Sequence, residues 1–165
     1  GLVLPAAAAG TGPAPAALGR VVAARWGAAI GRGPVPLFSH GSQALRRYGA
    51  GGARAEAMAG FPSVYEIALP ALRTTASAQH GAVQACFALI AQVSDTNLLH
   101  RGGSEGARFA ADQAASFLAD GGIRAPGWQA RAVSVHEAFV ARHLSPGGCA
   151  DLLAMALFID ALSRP

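Results

Sequence analysis

QHGAVQACFALIAQV, residues 79–93, decides the fold class. Val83, Phe87, Ile90 and Ala91 fall on one side at helical spacing, and Cys86 and Leu89 widen that side. No charged residue interrupts it, so the segment reads as the most buried helix of the chain. Directly after it comes SDTNLLHRGG, residues 94–103, with an acid, an amide, a histidine, an arginine and two glycines. That much polarity beside a buried helix needs a physical reason.

Working outward, the same periodicity recurs on both sides. Toward the N-terminus, a Pro/Gly turn at 11–15 precedes a helix over Ala16–Ile30, with Leu18, Val21, Val22, Arg25, Trp26 and Ile30 at approximate i, i+3/i+4 spacing. A loop, GRGPVP (31–36), ends it. Short helices follow at Gln43–Tyr48 and Ala53–Ala59, divided by the glycine-rich break 49–52. Val64–Thr74 is helical in pattern, with Pro70 expected to kink or interrupt it. Toward the C-terminus, helices are predicted over Ser104–Ala119, Trp128–His143 and Cys149–Leu162. Gly121–Gly122 and the break 145–148 punctuate them. On 128–143 the apolar side carries Val133, His136, Phe139 and Val140. No strand-period alternation persists and no long repeat is visible. The sequence predicts an all-α fold: one compact multi-helix domain over 1–165 with Gly-rich inter-helix loops.

Composition agrees and narrows the classes. At 52% hydrophobic and 13% charged, the chain is globular rather than intrinsically disordered. The net charge of +4 and pI near 10.0 admit an anionic partner. All 13 basic residues are arginines, scattered singly without a nucleic-acid-binding motif, which favours a small polyphosphate ligand over nucleic acid. No apolar run is long enough to span a membrane. Cys86 and Cys149 lack partners at metal-binding spacing, so packed thiols in a reducing compartment are expected. The opening GLVLPAAAAG lacks a basic n-region and a starting Met, and reads as the end of a helix from a longer protein.

Two polar knots carry the candidate chemistry. In SDTNLLHRGG, Asp95 and Asn97 are expected to point outward from a turn, where they can hold a hydrated Mg²⁺ or orient a sugar hydroxyl. His100 can move a proton near neutral pH, and Arg101 offers a bidentate fork for phosphate. Gly102 and Gly103 let backbone N–H groups approach an anion at the start of the next helix. The alternative is an ordinary helix–helix turn, with Asp95 as an N-cap and Gly102–Gly103 as a linker. The second knot is LSPGGCAD (144–151), where Ser145, Gly147 and Gly148 precede a helix whose first turn holds Asp151. It too reads either as an anion site or as a dipole-stabilised helix start. GAGGARAEA (49–57) adds Arg54 and Glu56, by themselves a solvated charge pair on a helix start.

Taken together, DTNLLHRGG, LSPGGCADLLA and GARAEAMAGFPSVYEIALPAL resemble, in order and spacing, the triphosphoribosyl-dephospho-coenzyme A synthases. The resemblance runs from about residue 50 to the C-terminus and leans toward the malonate decarboxylase branch over the citrate lyase branch. It implies an all-α, cytoplasmic transferase that joins ATP to 3′-dephospho-coenzyme A with release of adenine. The product is the precursor of the prosthetic group of an acyl carrier protein. Two departures accompany it: the family's N-terminal half, with its Asn-Thr-His-(Lys/Arg)-Gly-type motif, is absent, and Cys149 stands where serine is expected. The chain therefore reads as the C-terminal portion of a larger all-α enzyme, inactive by itself. The competing class is a helical scaffold or interaction domain without chemistry.

Under the resemblance, Asp95, His100 and Asp151 are the candidate catalytic residues, with Asp95 also a Mg²⁺ ligand. Arg54, Glu56, Asn97, Arg101, Gly102, Gly103, Ser145, Gly147 and Gly148 are the candidate substrate and phosphate contacts. Replacing Asp95 by Ala in a full-length homologue is expected to abolish adenine release and spare the fold. The site reading requires Asp95, Arg101, Asp151 and Arg54 to share one concave pocket.

Overall fold

In the computed structural model, residues 15–36 and 38–163 are described, and all regular structure among them is helical. The expected helix end at 1–10 and most of the turn at 11–15 lie outside them. Helix α1 begins as Pro15–Val22, passes through a wide π-helical turn (Ala23–Gly27) and finishes as Ala28–Arg32. Then come α2 (His40–Tyr48), α3 (Gly52–Met58) and α4, which is a π-helical turn (Val64–Ala68) continued by Leu69–Leu72. Helices α5 (Ala78–Gln92) and α6 (Thr96–Ala119) follow, then a 3₁₀ turn (Gly122–Arg124), α7 (Trp128–Ala141) and α8 (Gly147–Leu162). Among the described residues, no helix is long and apolar enough to cross a membrane.

The 79–93 segment occupies the centre, as its pattern predicts: α5 packs against α4, α6 and α8. Leu89, Leu98, Ile159, Val22, Val64 and Cys149 are the largest fully buried side chains, drawn from α1, α4, α5, α6 and α8. Phe87 of α5 stacks on Phe117 of α6 with ring centroids 3.9 Å apart. Truncating Leu89 to Ala in such a site removes about 2–5 kcal/mol of stability. A smaller cluster of Ala44, Ala50 and Leu99 seats α2 on the first part of α6.

Sequence and structure part at four places. Thr96–Gly102, expected as a turn, is helical; Gly103 then breaks the rod with φ 62° and ψ −163°, a conformation open essentially to glycine alone. The expected helix at Ser104 is thus the second arm of a kinked helix. Pro70 does not interrupt its helix. Leu69 N–H reaches back five residues to the Val64 carbonyl, and this widened turn leads into the short Leu69–Leu72 helix that Pro70 opens. The apolar side expected on α7 is not its packing side: Phe139 is buried, but Val133 and Val140 are 54% and 57% exposed and His136 is exposed with them. α7 rests on α6 and the 3₁₀ turn with Trp128, Ala132, Val135 and Phe139 toward the core, leaving Val133, His136 and Val140 outside. Lastly, Asp95 does not point outward. It is 2% exposed.

Candidate active site

A cavity of about 580 Å³ opens where the N-terminal ends of α3, α6 and α8 meet. Gly51–Ala53 and Glu56 line it from the start of α3, Gln92–Asn97 from the end of α5 through the start of α6, and Gly148, Asp151, Leu152 and Met155 from α8. Phe61 and Ser63 complete the lining. The size falls within the range usual for small-molecule sites.

Asp95 holds the junction together. It is the N-cap of α6, and its Oδ1 accepts the N–H groups of Asn97 and Leu98 at 2.7 and 3.3 Å. Its Oδ2 accepts the N–H of Cys149, in the first turn of α8, at 2.8 Å. One carboxylate therefore caps two helices, and both positive helix ends are offset by the same charge. Glycine at 148 makes this approach feasible, because a Cβ there would sit 3.2 Å from the carboxylate atoms. Burial above all, then the neighbouring Asp95, pushes the Cys149 thiol well above its ordinary range. That thiol is packed and protonated, not a nucleophile.

The other two acids differ. Glu56 accepts from Ser63 Oγ at 2.6 Å and from the Ser63 N–H at 3.3 Å, which fixes the entry to α4. Asp151 is exposed on the first turns of α8 and makes no hydrogen bond or ion pair among the described residues. The Asn97 side chain likewise hydrogen-bonds to nothing among them and lies against Gly147, where a Cβ would come within 2.7 Å of its Nδ2. Asp151 and Asn97 thus present an uncommitted carboxylate and amide to the cavity, whose lining also includes the apolar Phe61, Leu152 and Met155.

Comparison with known proteins gives this cavity its context. The sequence model described as ATP:dephospho-CoA triphosphoribosyl transferase matches residues 20–165. The chain belongs to that transferase family. A "Probable 2-(5''-triphosphoribosyl)-3'-dephosphocoenzyme-A synthase" of Pseudomonas fluorescens (strain Pf0-1) is 39% identical over 135 residues, covering 79% of this chain and 46% of the relative. Proteins with the same description from Pseudomonas putida and Azotobacter vinelandii are each 41% identical, over 76% and 78% of this chain and 46% of their own lengths. The chain spans a little under half the length of the curated relatives it matches. No solved structure matches.

Within this family member, the residues singled out from the sequence separate into two groups. Glu56, Asp95, Asn97, Gly148 and Asp151 meet at the cavity, with Gly147 packed behind Asn97. The remainder lie elsewhere. Arg54 directs its guanidinium to three carbonyls at the end of α1, those of Gly31 (2.9 Å), Gly33 (2.6 Å) and Pro34 (3.2 Å). That is a favourable seat for a cation at a helix C-terminus. His100 is exposed and stacks on His40 with centroids 3.7 Å apart; Arg101 is exposed beside it. Gly102 faces Leu144, whose Cδ2 lies 2.5 Å from where a Cβ would be, and Gly103 is the kink. Ser145 borders a second, apolar groove with Cys86 and Phe139. Of the four residues required to share one pocket, Asp95 and Asp151 do; Arg54 and Arg101 do not line it.

Phe61, Ser63, Gln92, Thr96 and Met155 line the cavity without having been singled out. Nothing local in the sequence marks Ser63 as the partner of Glu56. Tyr65 and Glu66, close by in sequence, are not among its lining residues: Tyr65 packs on Gly19 of α1 and Glu66 is exposed.

Proposed function

We propose that this chain forms part of a transferase that joins the triphosphoribosyl group of ATP to 3′-dephospho-coenzyme A, with release of adenine. The observation that carries the reading is the cavity itself: family membership coincides with a concave site in which the Asp151 and Asn97 side chains have no hydrogen-bond partner among the described residues. In the reaction the C1–adenine bond breaks, and the acceptor's 2′-hydroxyl oxygen bonds to C1. The hydroxyl proton passes to a base and adenine leaves with the bonding electron pair. A carboxylate facing the ribose stabilises the positive charge that develops at C1. Asp151 is our candidate for that role, with Glu56 across the cavity and Asn97 orienting a sugar hydroxyl. Asp95 acts differently, as a positioning residue that fixes the starts of α6 and α8.

Mg²⁺ is part of this proposal only as the companion of ATP. Asp95 does not fit a resident cation, because both its oxygens already face N–H donors. Among the described residues no three His, Cys, Asp or Glu side chains come together as a metal site. We assign the pathway to the making of an acyl carrier protein's prosthetic-group precursor, in the malonate decarboxylase branch, in the cytoplasm. The chain contributes one all-α domain and awaits the remainder of the protein for turnover. A non-catalytic scaffold is the second reading, favoured by the commitment of Arg54 to backbone carbonyls.

The deciding experiment incubates the full-length Pseudomonas fluorescens relative with ATP and dephospho-coenzyme A and measures released adenine, with the present chain run beside it. Adenine from the longer protein alone supports the proposal. No adenine from either favours the scaffold.

A further inference from the structure

We infer that the cavity between α3, α6 and α8 receives the ribosyl-adenine portion of a nucleotide, and that the phosphates lie outside it. The inference rests on the transferase reading above and specifies which part of the substrate this half of the site recognises.

Three observations converge on it. First, the position that a phosphate would take is filled. The N-terminal ends of α6 and α8 are natural anion sites, yet the Asp95 carboxylate accepts the N–H groups of Asn97, Leu98 and Cys149 there. The protein supplies its own anion to both helix ends. Second, no arginine or histidine is among the described lining residues, whereas Glu56, Asp95 and Asp151 are. Arg54, the nearest in sequence, is turned to the carbonyls of Gly31, Gly33 and Pro34. A polyphosphate entering this cavity would meet like charge without a counter-ion. Third, the lining suits a nucleoside. Asp151 accepts from sugar hydroxyls, and the Asn97 amide both donates and accepts. Phe61, Leu152 and Met155 give the apolar surface on which a flat base rests.

Ribosyl-adenine occurs in both ATP and dephospho-coenzyme A, so the test separates them. The chain is titrated calorimetrically with adenosine, ATP, dephospho-coenzyme A and inorganic triphosphate, the last with and without Mg²⁺. Adenosine is expected to bind and inorganic triphosphate to leave it undisplaced. Asp151→Asn and Asn97→Ala each weaken adenosine by about tenfold, the loss of one hydrogen bond to substrate. Whichever full substrate loses affinity in parallel is the one that sits here. Displacement of adenosine by triphosphate overturns the inference. So does failure of adenosine to bind, or tighter ATP binding by Asp151→Asn, which is the sign expected if removing a negative charge relieved a bound phosphate. Circular dichroism on each variant checks the fold, and Asp151 is exposed, so its replacement leaves the core untouched. Adenine release by the full-length relative is a separate readout: its absence removes the transferase reading and leaves the binding result standing.

Discussion

Asp95 Oδ2 accepts the backbone N–H of Cys149 at 2.8 Å, across 54 positions of sequence. The same side chain caps its own helix through Oδ1, so one carboxylate ties the starts of α6 and α8 together. Those helices form two walls of the cavity. The two polar knots are therefore not parallel contributors to a site; one of them anchors the other.

Removing this anchor should be felt in the fold before it is felt in chemistry. Asp95→Ala leaves the N-termini of two helices without their acceptor, at a cost of about 2–4 kcal/mol. Asp95→Asn keeps an acceptor oxygen and loses the charge, at about half that cost. Thermal melts by circular dichroism order the variants as wild type, then Asn, then Ala. An Asp95→Ala protein that melts like wild type would show that the cap is dispensable and restore a purely catalytic role for the residue.

Arg54 yields the opposite test. If its three carbonyl contacts describe its duty, Arg54→Ala lowers stability by about 1–2 kcal/mol and leaves ATP affinity unchanged. Arg54→Lys restores only part of the loss, since an ammonium cannot reproduce the forked geometry over three acceptors. A fall in ATP affinity with an unchanged melting temperature would instead identify Arg54 as a phosphate ligand.

These two residues also show where reading the sequence stops. The all-α class and the central helix were legible because Val83, Phe87 and Ile90 repeat at helical spacing, and α8 through Leu152, Ala156 and Ile159 likewise. Asp95 as an N-cap was legible as well, since that bond is local: an acid just before Thr96–Leu99. Its bond to Cys149 was not, and neither were the Arg54 contacts 20 to 23 positions away. Spacing fixes a side chain's helix face, but only packing decides which other segment lies against it. Val133 and Val140 make the same point in reverse, apolar at helical spacing yet exposed because α7 touches its neighbours along another edge.

Gly102 was legible as a glycine and misleading as to its purpose. A Cβ at 102 would lie 2.5 Å from Leu144 Cδ2, and one at Gly106 would lie 2.9 Å from the same atom. The two glycines form a seat that holds the start of the 144–148 loop on α6. Gly102→Val should therefore destabilise the fold by about 1–3 kcal/mol through overpacking. In a Leu144→Ala background the same substitution should cost about 1 kcal/mol less, a coupling measurable by a double-mutant cycle in urea. Strict additivity would mean that Leu144 is not what Gly102 accommodates.

The buried thiol at 149 makes stability depend on alkaline pH. Burial, reinforced by Asp95, raises the Cys149 thiol, and burial raises Cys86 in the same direction. A raised folded-state value means that the native protein prefers the protonated thiol more than the unfolded chain does. Its contribution is complete below the unfolded thiol's value of about 8.5 and is lost as pH climbs above it. Between pH 8 and 9.5 the wild type should lose about 1 kcal/mol more stability than Cys149→Ser, which has no thiol to ionise there. Alkylation followed by mass spectrometry should modify the half-buried Cys86 first and reach Cys149 only on unfolding. Equal alkylation rates, or identical pH slopes for the two proteins, would show that the α6–α8 junction opens to solvent in the native state, contrary to a carboxylate that clamps it shut.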